Sequence, residues 1–238
     1  ESLNIPAVKV SESVGRDLVR RVANEFGLES DLADGPALAL GASESTLLDM
    51  TGAYAGILNG GSSVTPYGLV DLRLQGDDAP LMGTGGGIRE RVIGDQAAGE
   101  LIWMMEQVVS QGTGRRAQFE GRQIAGKTGT TQAARDAWFV GFTADYVAGV
   151  WMGYDDNTPL TGVTGGGLPT EIWRETMVRI HEGVPLRPLP MRPPDGALRA
   201  QQSPAAQAPG KQQRDIPNTT EGLIDMLLRE ILGGNRNN

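Results

Sequence analysis

Apolar residues recur at helical spacing in several parts of the chain. The most regular run predicts a helix from Asp95 to Ser110, which Gln111-Gly112 ends. Residues 2–10 predict a loop that enters a short helix, and Pro36–Gly41 predicts a loop. Three further segments carry the helical pattern: Arg16–Phe26, Ser45–Leu58 and Pro169–His181.

The last of these helices has a clear apolar stripe. The pattern places four of its side chains on the buried side: Ile172, Trp173, Met177 and Ile180.

Alternating or continuous short apolar runs predict the strands. Leu69–Leu74 alternates, Lys127–Thr131 lies on or at the end of a strand, and Ala137–Phe142 and Tyr146–Tyr154 form a hairpin around Thr143-Ala144-Asp145. The order of elements is helices, one strand, a long helix, three strands and a final helix. This order predicts an α+β fold in which an antiparallel sheet is flanked by helices.

The composition changes after residue 183, so that residues 1–183 form the predicted folded body. Residues 184–217 are rich in Pro, Gln and Ala and predict a disordered linker. Residues 218–233 predict a short amphipathic helix that opens with a capping box at Asn218-Thr219-Thr220-Glu221, and residues 234–238 predict a disordered end.

Composition excludes several kinds of site. The chain has no cysteine, so disulfides and thiolate nucleophiles are excluded, and its single histidine, His181, predicts a charge partner at a helix end rather than a catalyst. We expect neither a metal site nor a cofactor. The net charge is −8 and the sequence contains no basic stripe, and both observations argue against nucleic-acid binding.

No apolar run reaches the length of a membrane span, and no signal peptide opens the chain. Because it begins without methionine at Glu1-Ser2-Leu3-Asn4, we expect it to be the C-terminal piece of a longer protein.

The candidate chemistry lies in Gly121–Phe142, whose centre reads Lys127-Thr128-Gly129-Thr130-Thr131. A lysine ammonium attracts an anionic group, and threonine hydroxyls donate hydrogen bonds to it. A glycine in a strand lets a ligand backbone approach closely. This set of residues indicates a site for an extended peptide that ends in a carboxylate.

Two other interpretations of this stretch exist. Residues Gly121–Thr128 satisfy the P-loop pattern G-x-x-x-x-G-K-[ST], which would bind a nucleotide phosphate, but a buried strand does not precede it and strand-like sequence follows it. The stretch could also be only a polar turn between two strands.

Several motifs together resemble one family. They occur in the family's order between Ser2 and about Met177, and they are Ser2-Leu3-Asn4, Gln111-Gly112-Thr113-Gly114-Arg115, Lys127-Thr128-Gly129-Thr130-Thr131, Asp136-Ala137-Trp138-Phe139-Val140-Gly141-Phe142 and Val150-Trp151-Met152-Gly153-Tyr154-Asp155. This combination resembles the transpeptidase domain of class A, 1A-like penicillin-binding proteins. The resemblance implies a fold of the penicillin-binding transpeptidase and serine β-lactamase type, incomplete at its N-terminus.

The resemblance implies an activity and roles for individual residues. The family cross-links peptidoglycan stem peptides through an acyl-enzyme on the serine of a Ser-x-x-Lys motif, and β-lactams acylate the same serine. Ser2 and Asn4 would form the Ser-x-Asn motif, in which Ser2 relays a proton towards the leaving group and Asn4 holds the donor amide. Lys127 would provide the positive field near the substrate carboxylate.

The remaining family motif residues would bind substrate. Thr128 and Thr130 would hold the carboxylate, Gly129 would let the strand lie against the substrate, and Thr131 completes the binding motif. The backbone N–H of Thr130 would be half of the oxyanion hole.

The chain departs from the family because it contains no Ser-x-x-Lys motif. The resemblance therefore implies a segment that is inactive alone, from a parent protein anchored upstream at the periplasmic face of the inner membrane. Its implied partners are donor and acceptor stem peptides, β-lactams and other cell-wall synthesis proteins. A non-catalytic substrate-binding or scaffold relative of the same fold stays open as an alternative.

Overall fold

The structure is a computed structural model that describes residues 2–83 and 85–195. Within these residues, no helix is both long enough and apolar enough to cross a bilayer. The helices are α1 (Asn4–Val14), α2 (Arg16–Glu25), α3 (Leu47–Leu58), α4 (Asp95–Ser110) and α5 (Leu168–Ile180). Short 3₁₀ turns cover Pro36–Leu40, Arg115–Ala117 and Gln132–Ala134.

The strands of the described residues form two antiparallel sheets. The smaller sheet pairs β1 (Ser62–Thr65) with β2 (Gly87–Arg91). The larger sheet has the order β3-β4-β5 and consists of β3 (Ala125–Thr130), β4 (Asp136–Phe142) and β5 (Val147–Gly153). Helices packed on an antiparallel sheet make this an α+β fold, as the sequence predicts.

The larger sheet is covered on both faces by helices. On one face, Phe139 of β4 packs with Trp173 and Met177 of α5. On the other face, Phe142 of β4 packs with Ile102 of α4 and with partly buried side chains of α3. The two faces hold two separate apolar clusters, so the sheet is the middle layer of the domain.

The ring of Phe139 fixes how β3 and β4 meet. Gly126 of β3 pairs with Gly141 of β4, and Phe139, two residues before Gly141, lies on the same face. Its ring is fully buried, covers both glycines and meets the Trp173 ring edge-on at a centroid distance of 5.1 Å. Any larger side chain at either glycine would displace this ring.

Most predicted elements of the central region are confirmed. The bounds of α4 agree at both ends, and the hairpin of β4 and β5 forms around Thr143-Ala144-Asp145. Helix α3 begins two residues later than predicted because Thr46 caps it, its hydroxyl accepting a 3.1 Å hydrogen bond from the Asp49 N–H.

The strand predicted at Leu69–Leu74 is wrong. This segment makes only an isolated bridge between Leu72 and Met82, and its apolar side chains are exposed. The alternation therefore does not mark a buried sheet face. The small sheet instead uses β1 and β2, neither of which has a strong alternating pattern.

The apolar stripe predicted for α5 is only partly correct. Trp173 and Met177 are fully buried, whereas Ile172 is 41% and Ile180 is 42% exposed. The sheet covers a narrower stripe of the helix than the four apolar side chains occupy.

The segment 184–195 differs from the predicted disordered linker. The first compact unit of the chain runs to Pro194, and Leu189 is buried beside Ile102. The Leu189 N–H donates a 2.9 Å hydrogen bond to the side-chain oxygen of Gln123. Arg122, paired with Asp145 at 3.3 Å in a buried ion pair, also donates to the Pro185 carbonyl at 3.2 Å. These contacts compensate for the regular hydrogen bonds that a proline-rich segment lacks.

The predictions for residues 196–238, which include the rest of the linker and the terminal amphipathic helix, lie outside the described residues.

His181 lies at the C-terminal end of α5, as predicted, and its side chain is buried. Its Nδ1 lies 2.7 Å from the Met177 carbonyl oxygen, and its Nε2 lies 2.9 Å from Thr143 Oγ1. The ring thus links the end of α5 to the turn between β4 and β5.

The contact between Phe139 and the two glycines is testable by adding one methyl group. In Gly126→Ala, the new Cβ would lie 2.8 Å from Phe139 Cζ and 2.9 Å from the Val140 carbonyl oxygen. Overpacking of this kind typically lowers the free energy of unfolding by about 1–3 kcal/mol. Urea-induced unfolding measures the change, and Gly68→Ala is the control because a Cβ there meets nothing within 4 Å. Equal stability of the two variants would contradict this role of Phe139.

Candidate active site

Lys127 and Ser2 meet at the free edge of the sheet although they are far apart in sequence. The Lys127 ammonium donates a 2.7 Å hydrogen bond to Ser2 Oγ and another of 2.7 Å to the Thr128 carbonyl. Lys127 is the third residue of β3, and Ser2 lies just before α1. The fold therefore brings together two residues that the sequence analysis assigns to one site.

A cavity of about 400 Å³ lies beside this contact. Its described lining residues are mostly hydroxyl-bearing or small: Ser2, Thr113, Thr128, Thr130, Thr164 and Gly166. Three of them, Ser2, Thr128 and Thr130, are predicted site residues. The cavity is thus lined by hydroxyl donors and lies next to one ammonium group.

Both threonines of β3 have hydrogen-bond partners from other segments. Thr128 Oγ1 lies 2.6 Å from Thr113 Oγ1, and Thr130 Oγ1 accepts a 2.9 Å hydrogen bond from the Gly165 N–H. Thr113 follows α4, and Gly165 precedes α5. Two loops therefore hold the hydroxyl groups of one strand in place.

Partial burial perturbs the charge of Lys127. Removal from water penalises the ammonium and lowers the pKa of Lys127 below its ordinary value of 10.5. The two hydrogen bonds that the ammonium donates offset part of this penalty. The group therefore lies where an incoming anion would stabilise its charged form.

Gly129 lies between two close neighbours. A Cβ there would be 3.2 Å from Trp138 Cβ, and a Cβ at Gly165 would overlap the Gly129 carbonyl oxygen. The absence of side chains at both positions lets the loop before α5 lie directly on β3.

The structure gives two predicted site residues, Asn4 and Thr131, no contact with the cavity. Asn4 is the exposed first residue of α1. Thr131 closes the connection between β3 and β4, since its hydroxyl accepts a 2.8 Å hydrogen bond from the Asp136 N–H. Neither is among the described lining residues.

Three residues that line the cavity, Thr113, Thr164 and Gly166, are not among the site residues predicted from the sequence. Thr113 belongs to the Gln-Gly-Thr-Gly-Arg motif, which served only to support the resemblance. Gly166 belongs to the run Gly165-Gly166-Gly167, which reads from sequence as an ordinary loop. Their contact with β3 depends on tertiary packing and has no short-range sequence signal.

The P-loop interpretation is wrong. Gly126, Lys127 and Thr128 are strand residues, and β4 follows them after a short 3₁₀ turn. A P-loop requires a loop that wraps phosphate and leads into a helix.

Comparison with known proteins identifies the family. Residues 1–177 match the family model described as the penicillin binding protein transpeptidase domain. The chain belongs to this family. The family resemblance stated from the motifs is therefore confirmed, together with the transpeptidase fold.

Relatives of this transpeptidase segment include penicillin-binding protein 1A of Aquifex aeolicus, which is 35% identical over 177 residues, covering 74% of this chain and 24% of the relative. The chain thus spans about a quarter of the length of the curated relatives that it matches.

Two solved structures support the fold. The crystal structure of penicillin-binding protein 1A from Haemophilus influenzae has a TM-score of 0.72 at 28% identity, covering 82% of this chain and 35% of that one. PonA1 from Mycobacterium tuberculosis, in complex with penicillin V, has a TM-score of 0.63 at 26% identity, covering 73% of this chain and 51% of that one.

The perturbed charge of Lys127 is measurable by NMR. The chain has only three lysines, Lys9, Lys127 and Lys211, so lysine-selective ¹³Cε labelling gives a simple spectrum. We expect the Lys127 signal, identified by its absence in Lys127→Arg, to titrate with a pKa below 10.5. A pKa at or above 10.5 would contradict the burial penalty.

The sign of the linked stability change follows from this shift. The unfolded chain keeps the Lys127 proton up to about 10.5, whereas the folded chain releases it at lower pH. Burial of the charged lysine therefore lowers the free energy of unfolding by its full amount at pH values below the lowered pKa. This loss of stability disappears as the pH rises to about 10.5.

Proposed function

We propose that this chain supplies the Lys-Thr-Gly half of a peptidoglycan D,D-transpeptidase that cross-links stem peptides by serine acyl transfer. The observation that carries the proposal is the hydrogen bond of 2.7 Å from Lys127 Nζ to Ser2 Oγ beside the hydroxyl-lined cavity. The chain contains no Ser-x-x-Lys motif, so a segment outside this sequence provides the nucleophile.

The acylation step assigns a role to each group. The hydroxyl oxygen of the nucleophilic serine attacks the D-Ala-D-Ala carbonyl, an ester C–O bond forms and the amide C–N bond breaks. The serine proton passes through Ser2 to the leaving amine nitrogen, which takes the electron pair of the broken bond. An amine of a second stem peptide then attacks the ester and regenerates the serine.

Ser2 is well oriented for this relay. Because its oxygen accepts a hydrogen bond from the Lys127 ammonium, its own hydrogen is free to point at the leaving group. Asn4, the first residue of α1, holds the amide of the donor peptide.

The substrate carboxylate lies against β3 in this proposal. Thr128 and Thr130 donate hydroxyl hydrogen bonds to it, and Lys127 supplies the positive field. Gly129 and Thr131 belong to the same binding strand, and the Thr130 backbone N–H is one donor of the oxyanion hole.

The proposal extends to ligands and location. Penicillin V is bound by the related PonA1, and we propose that β-lactams acylate the parent of this chain at the same nucleophile. We place that parent at the periplasmic face of the inner membrane, anchored upstream and working with other cell-wall synthesis proteins. The transpeptidase portion of the chain then extends to Pro194 instead of ending at residue 183.

The first test asks whether the chain needs an external nucleophile. We expect the 238-residue chain to gain no covalent mass from penicillin V. A form extended at its N-terminus to include a Ser-x-x-Lys segment is expected to gain one adduct, which peptide mapping places on that serine.

Two outcomes would overturn parts of this proposal. An adduct on Ser2 of the shorter chain would make Ser2 the nucleophile instead of the relay. Reversible binding without any adduct, in a folded extended protein, would favour the non-catalytic binding alternative.

The second test concerns Lys127. In the extended protein, Lys127→Ala is expected to lower the acylation rate by roughly 100-fold or more, as loss of one preorganised electrostatic donor does. Lys9→Ala is the control because Lys9 is exposed on α1. Stopped-flow measurement with a fluorescent penicillin gives the rates, and circular dichroism checks the fold. Equal rates for the two variants would remove Lys127 from the mechanism.

A further inference from the structure

We infer that Thr113 is a positioning residue that sets the Thr128 hydroxyl for binding the carboxylate of the acyl donor. The inference rests on the proposed function and adds a residue from outside the Ser-x-x-Lys, Ser-x-Asn and Lys-Thr-Gly motifs. Thr113 Oγ1 lies 2.6 Å from Thr128 Oγ1, and both side chains line the cavity. Thr128 itself is only 9% exposed, so its hydroxyl depends on nearby protein groups for its orientation.

A count of hydrogens shows what this pair offers to a ligand. Two hydroxyl groups carry two hydrogens, and their mutual hydrogen bond uses one. Either hydroxyl can be the donor in this pair. We take Thr113 as the donor, which leaves the Thr128 hydrogen free to donate into the cavity. The polarised Thr128 hydroxyl is then a stronger donor than an isolated one.

Thr130 has the same arrangement with a partner that can only donate. Its Oγ1 accepts a hydrogen bond of 2.9 Å from the Gly165 N–H, which leaves its own hydrogen for a ligand. With Thr113 donating to Thr128 and the Gly165 N–H donating to Thr130, these two threonines of β3 present two neighbouring hydroxyl donors to the cavity. Two neighbouring hydroxyl donors near an ammonium suit a carboxylate, which has two acceptor oxygens.

Thr113 is held firmly enough to act in this way. It lies in the turn that ends α4, where the Gly114 N–H donates a 2.9 Å hydrogen bond to the Val108 carbonyl. Gly166 covers its backbone, since a Cβ at Gly166 would lie 2.5 Å from the Thr113 carbonyl oxygen. These contacts fix the backbone of Thr113 and thereby the position of its hydroxyl group.

The test uses the extended protein that contains the Ser-x-x-Lys segment, and it compares penicillin V with its methyl ester. Thr113→Val removes the hydroxyl and keeps the shape of the side chain. We expect it to raise the penicillin V concentration for half-maximal acylation by roughly 10-fold, as weakening one hydrogen bond to a charged group does. The limiting acylation rate should stay the same, and the methyl ester should show no change.

Two further variants complete the design. Thr113→Ser keeps the hydroxyl and should restore half-maximal acylation to the wild-type concentration. Thr176→Val is the matched control, because the Thr176 hydroxyl only donates to the Ile172 carbonyl on the exposed side of α5.

The possible contrary results separate this inference from the proposed function. An equal loss for penicillin V and its ester would mean that Thr113 only maintains the fold, which overturns the inference. No loss in Thr113→Val, with a large loss in Lys127→Ala, would overturn the inference and leave the proposed function in place. No loss in either variant would overturn both.

Discussion

The antiparallel pairing of β3 with β4 is the constraint on which the site depends. Successive residues of a strand point to opposite faces, so the register decides where each side chain lies. The register that pairs Gly126 with Gly141 places Thr128 and Thr130 on one face and Lys127 on the other. A slip of one residue would exchange these faces. The Phe139 ring, packed on the paired glycines, opposes such a slip because only glycine leaves room for it.

A second regularity concerns the direction of the hydrogen bonds around the cavity. Ser2 Oγ accepts from the Lys127 ammonium, and Thr130 Oγ1 accepts from the Gly165 N–H. A hydroxyl that accepts from the protein has its own hydrogen left for a ligand. The Ser2 and Thr130 hydroxyl groups that line the cavity can therefore donate hydrogen bonds into it, which suits ligands with carboxylate and carbonyl oxygens. The donors come from segments distant in sequence, so the whole fold sets this polarity.

The sequence predicts the parts of this structure that have strong local signals. Helix α4 agrees at both ends because its long apolar pattern stops at Gln111-Gly112, and the hairpin of β4 and β5 follows from two apolar runs around a short turn. The exposed alternation at Leu69–Leu74 shows that period alone does not determine burial. Leu189 lies in a proline-rich segment and is buried through contacts with distant residues, which composition does not encode.

The candidate site likewise combines residues that sequence motifs identify with residues that only tertiary contacts bring into place. The family motifs point to Ser2, Lys127, Thr128 and Thr130, and the fold brings these together around one cavity. Spacing alone would not pair Ser2 with Lys127, because their contact crosses 125 residues. Thr113 and Gly165 were outside any prediction for the site, since their roles are contacts made by loops.

The lowered pKa of Lys127 fits the way such a site would use its charge. Burial makes the Lys127 ammonium less favourable, and the hydroxyl and carbonyl that it contacts are neutral acceptors. In the proposed function, a carboxylate beside Thr128 and Thr130 would add a negative charge and favour the protonated lysine. By linkage, the protonated lysine favours the carboxylate by the same free energy. In the proposed function, carboxylate binding and the charged form of Lys127 would therefore favour each other, which supports a positive group beside Ser2 during acylation.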